Sequence, residues 1–166
     1  ILRVPGLTFV NLQTGDCGAE LSAAVKAFGI PIAHDEILDS RQVANSYATR
    51  VAAMDIVVVP DSDAAAIAAA FDIPAMCIIL PSLKNKMGSQ QSTQIFIQRQ
   101  SGEWQSVIRD IGLALLDHAV SAGLTSKRAP YLRTFAQLHT NAGQLEDAEH
   151  LYRCLAQEPG LAAEAL

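Results

Sequence analysis

The stretch DIVVVPDSDAAAIAAAFDIPAMCIILP, Asp55 to Pro81, decides the fold class. It opens on a continuous apolar run, Asp55 to Val59, rich in β-branched residues. That composition predicts a strand buried on both faces, as parallel strands are. Pro60-Asp61-Ser62-Asp63 reads as a turn, and an alanine-rich helix follows to Phe71. Ala75 to Leu80 is a second buried strand, ended by Pro81. Strand, helix and strand in so short a span make a right-handed crossover between parallel strands.

The same alternation extends in both directions. Upstream, Leu7 to Gln13 reads as a short strand and Thr14-Gly15-Asp16 as a turn. Asp16 is placed to accept hydrogen bonds from the free N–H groups of the next helix. Leu21, Ala24, Val25 and Phe28 give that helix one apolar face, and Gly29 stops it. A minimal strand, Ile30 to Ala33, comes next. Asp39 or Ser40 caps a second helix lined by Val43, Tyr47, Val51 and Met54.

Downstream, Ser82 to Thr93 is polar without periodicity and reads as a loop. Gln94 to Gln98 alternates, as an edge strand does. A long helix runs from Glu103 to about Val120, with Trp104, Val107, Ile108, Ile111 and Leu115 on its main apolar face. Trp104 is expected to anchor that face in the core. Leu113, Leu116 and Val120 form a second apolar surface that something must cover. The expected fold is therefore α/β: a Rossmann-like parallel sheet with helices on both faces. Such sheets bind ligands beyond the carboxyl ends of their strands. The candidate rim is Gln13 to Asp16, His34-Asp35, Pro60 to Asp63 and Ser82 to Lys86.

After Gly123 the pattern changes. Thr125 to Pro130 is a polar linker, and two helical stretches follow, Tyr131 to Asn141 and Leu145 to Gln157, joined at Gly143. This is the pattern of an αα-hairpin. Leu132, Phe135, Leu138 and His139 are expected to face inward on the first helix. Ala148, Leu151, Tyr152 and Leu155 are expected to do so on the second. The expected division is an α/β domain over residues 1–123 and a helical segment over 124–166. The hairpin is expected to dock on the long helix at Leu113 and Leu116.

Composition narrows the function classes. The 166 residues are half hydrophobic, enough for one ordinary core and a small appendage. Net charge is −5 and the basic residues are scattered, which argues against a nucleic-acid surface. No apolar run is long enough to span a bilayer. Cys17, Cys77 and Cys154 are odd in number and far apart, so a reducing, cytoplasmic setting is expected. The chain starts at Ile1 and stops at Leu166 within helix-like sequence, which reads as a piece of a longer protein. His118, His139 and His150 lack ligand spacing, so neither a metal nor another cofactor is expected.

Asp55 to Pro81 resembles the C-terminal half of glycosyltransferase family nine, the heptosyltransferase group, in its tetratricopeptide-linked branch. FVNLQTGD, from Phe9, is similar to that branch's first strand and turn, and IFIQRQSGEWQSVI, from Ile95, to its later strand and helix. The matches span Leu7 to Asp117. GQLEDA, Gly143 to Ala148, with Tyr152 and Pro159, resembles one tetratricopeptide repeat. The resemblance implies the GT-B C-terminal half. A nucleotide-sugar diphosphate would then lie at the helix start after the third strand.

In this sequence Asp61 and Ser62 match the family's D-T pair. Gly15 and Asp16 belong to the matching first turn, and Lys84 and Lys86 stand in the loop where phosphates are within reach. Ala66 occupies the position of the motif histidine, and SLKNKMGSQQST replaces an aromatic-rich loop. The implied function is a nucleotide-sugar donor-binding half, inactive alone, with a protein partner or self-association through the hairpin. The alternative is a degenerate, non-catalytic module for protein interaction.

Local readings stand beside these. Asp61-Ser62-Asp63 serves equally as a helix cap, and Gly15-Asp16 as a turn. His34 and Asp35 are adjacent on a strand, so their side chains point oppositely and make a poor acid–base pair. Cys17, close to a helix start, reads first as a buried thiol and second as a reactive one.

Overall fold

The computed structural model describes residues 1, 3–13, 15–34, 43–60, 63–83 and 92–158, with the backbone alone at 43–46, 63 and 83. The chain is mixed α/β. In order it contains β1 (Phe9–Val10), α1 (Gly18–Phe28), β2 (Ile32–Ala33), α2 (Val43–Ala52), β3 (Val57–Pro60) and α3 (Asp63–Ala70). Then come β4 (Ala75–Ile79), a 3-10 turn (Pro81–Leu83), β5 (Thr93–Ile97), α4 (Gln105–Ser121), α5 (Arg128–Asn141) and α6 (Leu145–Ala156). Two compact units share these elements: one is Thr8–Ile111, the other Ile1, Arg3–Leu7 and the chain from Gly112 onward. The units part within α4, so the composition change at Gly123 marks the end of a helix.

In the α/β unit every strand pairing is parallel. β1 pairs with β2 in a two-stranded sheet, and β4 lies between β3 and β5 in a separate three-stranded sheet, so the described strands form two parallel sheets where the sequence suggested one. The first two strands are shorter than their sequence suggests. Pro31 has no N–H to give a ladder. Asn11 takes the N–H of Gln13 onto its own Oδ1 at 3.1 Å, which turns the chain after one more bond, Asn11 N to Ala33 O at 2.8 Å.

One core packs β3 and β4 against α2 and α3. Val57 and Val59, Ala75, Cys77 and Ile79 point the same way and meet Val51, Ala64, Ala65 and Ala68. The small alanine side chains let α3 lie close against the sheet. β3 is buried on one face only: Val58, between two buried valines, is 37% exposed. The expectation of two buried faces holds instead for central β4, where Met76 is buried as well. α3 ends with Ile73 N donating to Ala68 O and Asp72 N to Ala69 O. Asp72 takes the left-handed conformation, φ 55°, usually left to glycine at this cap.

Trp104 does not anchor the core; it is 48% exposed. α4 begins at Gln105, and Trp104 lies at its threshold, its carbonyl accepting the N–H of Ile108 at 2.9 Å. A residue at that position stands off the helical wheel, while Val107, Ile111 and Leu115 on the wheel are buried as expected.

In the helical unit α5 and α6 pack together through Leu132, Ala136, His139, Ala148, Leu151 and Leu155. Gly143, at φ 73°, permits the turn between them, with Gln144 N reaching back to His139 O at 2.9 Å. His139 Nδ1 lies 3.7 Å from Asp147 Oδ2, and the Phe135 ring meets the imidazole edge-on. Leu138 and Tyr152, expected inside, are exposed, because each lies on the flank of its helix's buried stripe. The second half of α4 meets α5 at Gly112, where a β-carbon would lie 3.3 Å from Tyr131 Oη and 3.4 Å from Phe135. Arg128 ion-pairs with Asp117 and places Nε 2.5 Å from Glu158. Leu116 and Ala119 are buried and Leu113 is half-buried, and the contact of α4 with α5 is at Gly112.

Burial of Tyr131 pushes its phenol pKa up from the ordinary value near 10 to about 12. Below pH 10 the phenol is neutral whether the chain is folded or not. Between about 10 and 12 the unfolded chain loses that proton while the folded chain keeps it, so stability falls as pH rises. We expect a loss of about 2 kcal/mol by pH 12, absent in Tyr131→Phe. Denaturant titrations of both proteins from pH 9 to pH 12 check this; equal alkaline losses would refute it.

Candidate functional site at the sheet's carboxyl rim

The carboxyl ends of β1 and β2 and the start of α1 converge on Asn11, Cys17 and His34. Each follows the end of its strand or sits at the helix N-cap, so parallel pairing alone brings them to one rim. Asn11 Nδ2 lies 3.1 Å from Cys17 Sγ and 3.2 Å from His34 Nδ1. Cys17 Sγ lies 3.7 Å from His34 Nε2.

The hydrogen-bond network orients these groups. Asn11 Oδ1 is occupied by the N–H of Gln13, so Nδ2 is the end that faces the sulfur and the imidazole. His34 Nδ1 then accepts, and the proton of the neutral ring is assigned to Nε2, on the side of the sulfur. Cys17 is 6% exposed, whereas Asn11 and His34 are half-buried. Arg50, in the last turn of α2, donates Nη2 to the Asn11 carbonyl at 2.5 Å. Its Nη1 is buried with no hydrogen-bond partner among the described residues.

The residues singled out in the sequence fall differently. Gly15 is exposed at φ 95°, and Asp16 is exposed with Oδ1 accepting the N–H of Gly18 at 3.3 Å. That is the expected turn; the N-cap of α1 is Cys17, with no side-chain cap hydrogen bond. Asp61, Ser62, Lys84 and Lys86, and the Asp39 or Ser40 cap, lie outside the described residues. Ala66, on α3, is exposed. Sequence reading noted Cys17 and His34 singly and missed Asn11. The available signal was positional: Asn11 and His34 each directly follow a strand.

Among the described residues no group of three His, Cys, Asp or Glu side chains is placed to hold a metal ion. Among them, too, no helix is long and apolar enough to cross a membrane. No family model matches the chain, and no solved structure matches it. It is similar to Protein FlbA of Caulobacter vibrioides, 29% identical over 126 residues. That alignment covers 73% of this chain and 21% of FlbA, so the chain spans about a fifth of the length of this curated relative.

Proposed function

We propose that this chain is a glycosyltransferase-like, nucleotide-sugar-binding half-domain of the GT-B C-terminal type. In this reading α5 and α6 form a tetratricopeptide-like hairpin joined to it. The observation that supports it best is the β3–α3–β4 unit. β3 and β4 are parallel, and α3 starts at Asp63, directly beyond the carboxyl end of β3. A helix start so placed offers unpaired N–H groups to a diphosphate. In this reading Asp61, Ser62, Lys84, Lys86, Gly15 and Asp16 are the residues the resemblance assigns to nucleotide-sugar contact. Sugar transfer needs a cleft between two domains of this kind, so the half-domain by itself is inactive.

A second reading is a non-catalytic interaction module. It is favoured by Ala66, which puts no hydrogen-bonding group where the resemblance places a histidine. It is also favoured by exposed Leu138, Leu145 and Tyr152 on the helical pair, an apolar surface to share with a protein. Calorimetry with UDP- and ADP-sugars separates the two. The first reading expects a dissociation constant on the order of 1 mM, about −4 kcal/mol, weakened further by Ser62→Ala. No heat of binding at several times that concentration would discard it and leave the interaction module.

A further inference from the structure

We propose that Cys17 is a reactive thiol, a site of modification by small peroxides, with Asn11 and His34 as its positioning residues. This does not depend on sugar binding. Two side-chain nitrogens face one sulfur: Asn11 Nδ2 donates at 3.1 Å, and His34 Nε2, which carries the ring proton in the tautomer assigned above, lies at 3.7 Å. The sulfur also stands at the N-cap of α1, the positive end of an eleven-residue helix. Donors and a positive helix end suit the anion, which is the nucleophile. Arg50 adds a cationic side chain on the Asn11 carbonyl.

The class of oxidant follows from access. At 6% exposure Cys17 admits a small molecule and not a bulky disulfide. The thiolate attacks one oxygen of hydrogen peroxide. An S–O bond forms, the O–O bond breaks and hydroxide leaves. Sulfur is oxidised by two electrons to the sulfenic acid, and the peroxide is reduced to hydroxide. The same two N–H groups then face the new oxygen.

The chain carries its own controls. Cys77 is fully buried in the sheet. Cys154 is more exposed than Cys17 and has a histidine at 3.8 Å, His150 Nε2. It lies in the last turn of α6, where the helix carbonyls disfavour an anion. Exposure alone therefore ranks Cys154 first, and the site geometry ranks Cys17 first.

The test treats the folded, full chain with a modest excess of hydrogen peroxide, traps sulfenic acid with dimedone and reads each cysteine peptide by mass spectrometry. Cys17 is expected to label about tenfold faster than Cys154, the difference vanishing in denaturant. His34→Ala and Asn11→Asp should slow Cys17 severalfold, whereas His34→Gln, which keeps an N–H donor, should retain most of the rate. Labelling that follows exposure, with Cys154 first, overturns the proposal. So does an unlabelled Cys17, or a rate unchanged or raised in His34→Ala while His34→Gln behaves the same way.

Discussion

Leu132→Ala should destabilise the helical unit by about 2–5 kcal/mol. Leu132 is completely buried, and Leu151 on α6 is completely buried beside Ala136 and Ala148. Small neighbours matter here. Alanines let α5 and α6 approach closely, but they have no side chain long enough to move into the space a missing isobutyl group leaves. The cavity should therefore persist, and the loss should lie toward the upper part of that range. Leu145→Ala is the internal comparison. Leu145 sits on α6 as well but is 67% exposed, so its removal should cost less than about 0.5 kcal/mol. Urea titrations followed by helix signal read both. Similar effects for the two leucines would mean that the α5–α6 contact is not a packed core.

Gly6→Ala should cost a comparable amount, about 2–5 kcal/mol, through two separate terms. Gly6 is at φ 82°, which costs an L-residue about 1–2 kcal/mol. Its β-carbon would also lie 2.7 Å from the carbonyl oxygen of Leu124. That oxygen belongs to backbone, and Leu124 is held by its own N–H to Ala119 O at 2.9 Å, so the clash falls on a fixed group. Forcing it apart adds about 1–3 kcal/mol. Gly29→Ala separates the terms. Gly29 is at φ 65° with open space around its β position, so only the conformational cost remains, about 1 kcal/mol. If Gly6→Ala proves no worse than Gly29→Ala in thermal melts, the approach of residues 3–7 to the turn after α4 is looser than described.

Sequence by itself determined the order and kind of the main elements, because helical and strand periodicities are local. The apolar stripe of α4, the two runs around α3, and the break at Gly143 follow from residue spacing within one or two turns, whereas the α1 stripe ending at Phe28, 50% exposed, buries no residue. The helix ends at Gly29 and Gly143 were legible for the same reason, since each glycine takes the positive φ that a C-terminal cap requires.

Only the tertiary structure decided which apolar residues are covered. Val58 has the same side chain as Val57 and Val59, and its exposure depends on what lies over that face of β3. Trp104, one residue before the helix starts, and Leu138 and Tyr152, on the flanks of their stripes, are exposed although periodicity alone assigned them inward. The rim cluster is a tertiary product as well. Asn11, Cys17 and His34 are 6 to 23 residues apart, and nothing in their spacing relates them. They meet because β1 and β2 run parallel and in register, Phe9 opposite Ile32 and Val10 opposite Ala33. The residues that follow are then delivered side by side to the start of α1. Register is a relation between distant segments, set by the burial of both together, and so it is absent from either segment read alone.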